Sequence, residues 1–188
     1  MQPTIQEVAD CTTDERRHNQ LKRQTPRDRE CLGTLRQVVP GFSGGINRLL
    51  DPEIAYIRLR DEDPSLIAAL MRSDTMTIPA GEAAGGRLRP DNAGPVVFVD
   101  PRSGALGMRF TARRRNVSWR DDPVTQRAVR SLLAVLRDDP LIVETRLAAG
   151  QGVICNNVLH DRSAFSGGSR LLYRVRYKDR VDGSGALS

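Results

Sequence analysis

Apolar and polar residues follow regular patterns in several separate segments of the chain. Residues 32–39, LGTLRQVV, alternate between apolar and polar and predict a strand. Residues 51–70 contain two aspartate–proline pairs, each followed by apolar residues, which is typical of the first turns of two short helices. Residues 123–137 follow an aspartate and a proline and carry apolar residues at helical spacing. This segment predicts the most regular helix of the chain.

Strand patterns dominate the second half of the chain. Residues 96–100 and 105–114 flank the turn PRSG and predict a hairpin. Three further runs predict strands, namely 141–147, 152–157 and 170–177. Residues 79–95 are rich in glycine and proline and predict a loop. Connections of hairpin length favour antiparallel pairing, so the pattern predicts an α+β fold that is mainly β, with a sheet folded over on itself and flanked by helices.

The composition indicates one globular domain. The chain has 188 residues, of which 39% are hydrophobic and 4% aromatic, so the core should be aliphatic. Its cysteines, Cys11, Cys31 and Cys155, form neither a disulfide framework nor a CxxC zinc motif. No apolar run approaches the ~20 residues that span a bilayer, so we expect a soluble, cytoplasmic protein without a membrane partner.

The charge raises nucleic-acid binding as one hypothesis. The net charge is +6, and only Lys22 and Lys178 of the 29 basic residues are lysines. The arginines are scattered among acidic residues, however, and no stacking aromatic residues lie among them. A nucleic-acid-binding domain would bind with salt-sensitive affinity that does not depend on His160. The pattern does not favour a nucleic-acid partner.

The segment 150–177 combines a histidine with an arginine-bearing strand. His160 follows the apolar run 152–157, which places an imidazole at the rim of a sheet. In the strand 170–177, alternation puts Arg170 and Arg174 on one face. Imidazole binds metals and guanidinium binds carboxylates, so this pair could hold a metal-chelating acid. The alternative is a structural histidine beside a solvated arginine face.

The segment 150–177 also resembles the C-terminal signature of the TauD/TfdA (taurine dioxygenase-like) family of Fe(II)/2-oxoglutarate-dependent dioxygenases. The resemblance implies a double-stranded β-helix, or jelly roll, with flanking helices. It implies that His160 is an iron ligand and that Arg170 pairs with the distal carboxylate of 2-oxoglutarate. Arg174 would lie near 2-oxoglutarate or near an anionic group of the substrate.

Upstream segments carry the same resemblance. The pair Gly44–Gly45 is similar to a family GG pair that precedes a 2-oxoglutarate-binding residue, which here is Asn47. The family holds its first two iron ligands in an H-x-D/E motif about 25 residues earlier, which here matches His18 and Gln20. A glutamine amide is neutral and offers only a carbonyl oxygen, so the resemblance implies an iron site with weakened affinity.

The resemblance predicts three parts of the chain. These are a polar N-terminal segment at 1–17, a dioxygenase domain at 18–181 and a disordered tail at 182–188. Family members carry a substantial segment before the first metal motif, whereas 17 residues precede His18 here. We therefore expect an incomplete jelly roll with open strand edges.

Two functions follow from the resemblance. The first is oxidative hydroxylation of a small-molecule substrate, with an anionic compound as one option. Fe(II) would be the cofactor, and the reaction would be coupled to decarboxylation of 2-oxoglutarate to succinate. The alternative is a catalytically impaired or truncated family member that acts as a binding protein, because the carboxylate position of the metal motif is Gln20.

Overall fold

The computed structural model describes residues 4–10, 32–39, 43–82, 88–101, 103–111, 117–156, 158–166 and 170–177. These residues divide into two compact units. The first unit takes its described residues from Met1–Asn19, Pro26–Leu49 and Val143–Ser188, and the second takes them from Leu50–Ile142.

The secondary structure is mixed and strand-rich. The helices are α1 (Pro52–Glu62), α2 (Pro64–Leu70) and α3 (Pro123–Asp138). The strands, in chain order, are β1 (Thr4–Asp10), β2 (Leu32–Val39), β3 (Ser43–Gly44), β4 (Asn47–Leu50), β5 (Met76–Ile78), β6 (Gly81–Glu82), β7 (Leu88–Arg89), β8 (Asn92–Gly94), β9 (Val97–Val99), β10 (Leu106–Met108), β11 (Ser118–Trp119), β12 (Val143–Thr145), β13 (Gly152–Cys155), β14 (Leu159–Arg162), β15 (Phe165–Ser166) and β16 (Arg170–Tyr177).

The first unit is built from antiparallel sheets. A four-stranded sheet has the order β1–β16–β2–β13, a three-stranded sheet has the order β12–β4–β14, and β15 pairs with β3. Strand β16 is central in the larger sheet and pairs with β1 over its first seven residues. The sequence shows no convincing period before residue 32, yet 4–10 forms a strand. Its partner is more than 150 residues away, so local patterning could not identify it.

The helices of the second unit begin where the sequence predicts. The side chains of Asp51, Asp63 and Asp122 each accept a hydrogen bond from a backbone N–H in the first turn of the helix that follows. Each cap is followed by proline, whose missing N–H needs no partner at that position. The three helices pack against one another and bury apolar side chains, including Leu59, Leu66, Leu70 and Leu132.

The strands of the second unit confirm one prediction and contradict another. Strands β9 and β10 form the predicted hairpin, with Val99 opposite Leu106. The segment 79–95, however, is not all loop, because it contains β6, β7 and β8, and β8 pairs with β5. This prediction was wrong because pairing with β5 outweighs the poor strand propensity of glycine-rich sequence. A buried guanidinium supports this sheet, since Arg109 donates to the Gly94 carbonyl at 3.1 Å.

The coarse fold prediction is therefore confirmed, since the structure combines helices with antiparallel sheets. The predicted boundaries of the domain at 18–181 remain a prediction, and the tail at 182–188 lies outside the described residues. Within the part of the chain that the structure describes, no helix has both the length and the apolar character needed to cross a membrane.

We expect the N-cap of α3 to contribute measurably to stability. The Asp122 carboxylate accepts from the Thr125 N–H at 2.9 Å, and this hydrogen bond is the main cause of the lowered pKa of Asp122. Asp122→Ala should lower the melting temperature at pH 7 by about 2–4 °C. The adjacent, exposed Asp121→Ala is the matched control and should have little effect.

The stabilising effect of Asp122 should also depend on pH. Because its pKa is lower in the folded than in the unfolded state, its contribution is complete above about pH 4 and disappears as the pH falls through the folded pKa. Thermal melts of wild type and Asp122→Ala should therefore converge as the pH falls below about 4. A constant difference from pH 7 to pH 2.5 would contradict this role.

Candidate metal and cofactor site

The glycine pair turns the chain between β3 and β4. Gly44 and Gly45 have φ angles of +73° and +70°, a left-handed conformation that only glycine adopts without strain. A Cβ atom on Gly44 would lie 2.1 Å from the carbonyl oxygen of Ala164. The backbone conformation therefore requires glycine at both positions, and the close approach of Ala164, between β14 and β15, also requires it at Gly44.

Backbone hydrogen bonds tie this turn to the segment that joins β14 and β15. Phe165 lies opposite Gly44, the Gly45 N–H donates to the Ala164 carbonyl at 3.0 Å, and the Ser163 N–H donates to the Ile46 carbonyl at 2.9 Å. Beyond the turn, β4 pairs with β14 in the three-stranded sheet.

Strand alternation, combined with the contact between Arg48 and Asp161, indicates that His160 and Asn47 share a face of the three-stranded sheet. Directly opposite residues share a face, and faces alternate along a strand. Arg48 and Asp161 face one side, where the Arg48 Nη1 and Asp161 Oδ2 atoms are 3.8 Å apart. Their neighbours Asn47, Leu49 and His160 therefore face the other side.

The His160 ring is half-buried and fixed by a local hydrogen bond. Its Nδ1 atom lies 2.9 Å from the carbonyl oxygen of Val158. A carbonyl can only accept, so Nδ1 carries the proton and Nε2 carries the lone pair of the neutral ring. Metal-binding histidines commonly have this arrangement, in which the second ring nitrogen donates to a carbonyl or carboxylate. The donor chemistry of His160 therefore fits a divalent metal.

Asn47 lies at the start of β4 and is 7% exposed. Its Nδ2 atom donates to the Thr145 carbonyl at 3.2 Å, which fixes the amide against β12. The amide has a second N–H and a carbonyl oxygen, so it can also hydrogen-bond a polar ligand on the His160 face. Asn47 thus occupies a position that suits ligand binding.

Arg170 and Arg174 lie on β16, in the four-stranded sheet of the same unit. Arg170 is opposite Asp10 of β1, and Arg174 is opposite Gln6 of β1 and Leu35 of β2. The pairing with β2 shifts register between Leu171 and Leu172, which lie between the two arginines. The extra residue lies on β2, where Val38 falls between the partners of Leu171 and Leu172, whereas β16 pairs with β1 without a shift from Arg170 to Arg176. The shared face of the two arginines remains a prediction.

The sequence matches one protein family over most of its length. Residues 11–176 match the pattern of the family described as "Taurine catabolism dioxygenase TauD, TfdA family". The chain belongs to this family. The segment GGIN, the segment around His160 and strand β16 all lie within the matched residues. Comparison with curated proteins gives no match.

Solved structures with a similar fold are iron oxygenases and a related protein. An asparagine oxygenase in complex with Fe(II), 2S,3S-3-hydroxyasparagine and succinate has a TM-score of 0.58 and 20% identity, over 85% of this chain and 48% of its own. The non-heme iron oxygenase OrfP in complex with Fe and L-canavanine has a TM-score of 0.65 and 19% identity, over 93% and 56%. The PvcB protein from Pseudomonas aeruginosa has a TM-score of 0.58 and 17% identity, over 92% and 63%. The chain thus spans about half of the length of the oxygenases that it resembles.

The predicted first metal motif, His18 and Gln20, lies outside the described residues, since both positions fall in the segment 11–31. Among the residues that are described, no three His, Cys, Asp or Glu side chains form a metal-binding group. The predicted position of His160 needs one correction. It is not at the end of the strand that begins at residue 152, because that strand ends at Cys155 and His160 lies inside β14, in a different sheet.

Sequence reasoning missed a charged cluster on the opposite face of the three-stranded sheet. Arg48 Nε donates to Glu144 Oε1 at 2.9 Å, and Arg48 also contacts Asp161. Burial raises the pKa of the Asp161 carboxyl, while the positive charge of Arg48 opposes that rise. Arg48 is about 100 positions away from both carboxylates in the chain, so only the strand pairing reveals the cluster.

Proposed function

We propose that this chain is an Fe(II)/2-oxoglutarate-dependent dioxygenase that hydroxylates a small molecule and produces succinate from 2-oxoglutarate. The observation that carries the proposal is the His160 ring fixed by its Nδ1–H donation to Val158. The Arg48–Asp161 contact and strand alternation support a shared face for His160 and Asn47. Family membership supports the reaction class. The strand pairing of the first unit is compatible with part of a jelly roll, which we propose as the architecture of the complete protein.

Three residues of the chain would hold the metal. His160 would use Nε2, and His18 and Gln20 would supply the positions of the family's first motif. When bound, Fe(II) supplies activation of oxygen. Gln20 gives the site less negative charge than the aspartate or glutamate of the family motif, so metal binding should be weaker than in relatives that have the carboxylate.

The remaining residues would bind and orient the organic ligands. Asn47 can hydrogen-bond an oxygen of 2-oxoglutarate through its amide, which Thr145 already holds in place. Arg170 would pair with the distal carboxylate of 2-oxoglutarate, because a guanidinium fork matches a carboxylate. Arg174 would bind 2-oxoglutarate or an anionic group of the substrate. The asparagine and canavanine complexes of similar folds make an amino acid a reasonable first substrate to test.

One observation favours a second function. Because Gln20 replaces the carboxylate, the chain could bind 2-oxoglutarate through Asn47 and Arg170 without turning it over. Such a binding protein would retain affinity for 2-oxoglutarate while producing no succinate. The two functions are therefore separated by one measurement of turnover and one of binding.

We expect slow succinate formation from the wild-type chain and faster formation after Gln20→Asp. Purified protein is mixed with Fe(II), 2-oxoglutarate and oxygen, and succinate is quantified without added substrate. Restoring the carboxylate should raise the rate by about tenfold or more, because it restores a charged metal ligand. Gln126→Asp on α3 is the matched control and should leave the rate unchanged.

The outcomes separate the two functions. Succinate at or below the metal-free background in both wild type and Gln20→Asp would contradict the dioxygenase proposal. If 2-oxoglutarate still binds in that case, as measured by calorimetry, the binding-protein alternative would be favoured. Equal rates for wild type and Gln20→Asp, both well above background, would instead place the missing ligand elsewhere and contradict the assignment of Gln20.

A further inference from the structure

The charged cluster behind the candidate site joins three strands. The Arg48 side chain lies on β4, between Glu144 of β12 and Asp161 of β14. Its contact with Glu144 is a hydrogen bond of 2.9 Å, whereas the 3.8 Å contact with Asp161 is a charge contact without hydrogen-bond geometry. Asp161 is the residue directly after His160 on β14, so the cluster is adjacent to the proposed metal ligand.

The two carboxylates differ in their exposure to solvent. The Asp161 side chain is 18% exposed, and its Oδ1 atom is buried with no hydrogen-bond partner among the described residues. The Glu144 side chain is 57% exposed. A buried charge is costly and an apolar residue would often be as stable at such a position, so stability alone does not account for Asp161. Enforcing one strand register is the best-supported role of such a group.

Register matters more at β14 than at most strands. The strand has only four residues, so few backbone hydrogen bonds oppose a shift. A shift of one residue moves every side chain to the other face. In β14 it would turn His160 away from Asn47 and place Asp161 or Leu159 on the site face. A one-residue shift would also move Asp161 away from the face of Arg48, so their charge contact opposes the shift.

We propose that the Arg48–Asp161 pair sets the register of β14 and thereby positions His160 for metal binding. This inference rests on the proposed function only in taking His160 as a metal ligand. Asp161 is a positioning residue, because it acts through β14 from the face opposite the site. Glu144 is the solvent-exposed end of the cluster and contributes little, as is usual for exposed ion pairs.

The test uses Co(II) as the probe and the full-length chain. Co(II) binding is followed by visible absorption for wild type, Asp161→Asn, Arg48→Met and the double variant. Asp161→Asn and Arg48→Met should each weaken Co(II) affinity by about ten- to a hundredfold, the range found when groups that orient a ligand are removed. The double variant should bind about as weakly as either single variant, because both changes remove the same contact.

Two control variants separate positioning from a general loss of stability. Arg48→Lys keeps the positive charge and should retain most of the Co(II) affinity. Glu144→Gln removes the exposed carboxylate that contacts the same guanidinium and should change affinity less than about threefold. The absorption spectrum should also change in Asp161→Asn, since a displaced imidazole alters the ligand field. Thermal melts of the metal-free variants confirm that each is folded at the temperature of the titration.

The results distinguish failure of this inference from failure of the proposed function. If wild type binds Co(II) and His160→Ala does not, but Asp161→Asn and Arg48→Met bind like wild type, the positioning role is wrong and the metal site stands. If His160→Ala binds Co(II) as tightly as wild type, the proposed metal site is wrong and the positioning role fails with it. Additive losses in the double variant would also overturn the pairing of Arg48 with Asp161.

Discussion

Replacing His160 with alanine is expected to abolish metal binding and succinate formation. Orienting groups around a metal ligand are themselves worth about 10–100-fold in affinity, so loss of the ligand should cost at least about 100-fold. The loss of metal affinity should be severe here, because Gln20, one of the other two proposed ligands, is itself weak. The measurements are Co(II) affinity by titration and succinate yield with saturating Fe(II).

Two controls make the result specific to the imidazole. Arg130→Gln on α3 changes an exposed charge and should leave both readouts unchanged. The melting temperature of metal-free His160→Ala should remain within a few degrees of wild type, since the ring is only half-buried. Unchanged succinate formation by His160→Ala would exclude this residue as a metal ligand. It would also contradict the binding-protein alternative, because that alternative predicts no turnover.

Replacing Gly44 with alanine is expected to destabilise the first unit strongly. The left-handed backbone costs a residue with a Cβ about 1–3 kcal/mol, and the forced contact with the Ala164 carbonyl adds a comparable amount. The total should be about 3 kcal/mol or more, because a backbone carbonyl cannot move without moving the strand. The free energy of unfolding in urea measures this effect.

Gly150 provides a matched control in the same unit. Its φ angle is +81°, but a Cβ atom there would meet nothing within 4 Å. Gly150→Ala should therefore cost only the backbone term, about 1–2 kcal/mol. A Gly44→Ala variant no less stable than Gly150→Ala would show that the close approach to Ala164 is not required.

Local interactions explain the predictions that succeeded. The helices begin at Asp51, Asp63 and Asp122 because each carboxylate satisfies an N–H of the first turn, and this requires only neighbours in sequence. The hairpin of β9 and β10 likewise depends on a short turn. The match at GGIN likewise depends on local sequence, because the two glycines can themselves adopt the left-handed backbone of the turn.

Long-range pairing explains the predictions that failed or were incomplete. Asn92–Gly94 became a strand because β5 supplies its hydrogen-bond partners. The guanidinium of the buried Arg109 donates to the backbone carbonyls of Met76 in β5 and of Gly94 in β8. None of these partners can be identified from local periodicity.

By itself, the sequence determined the helix starts, the glycine turn, the family and the identity of the candidate ligands. Those features depend on contacts between residues close in the chain or on the residue types themselves. Only the tertiary structure brought Asp161 to Arg48, a contact from which strand alternation indicates a shared face for His160 and Asn47. That contact depends on pairing between strands about 110 residues apart, and a shift of one residue would break it.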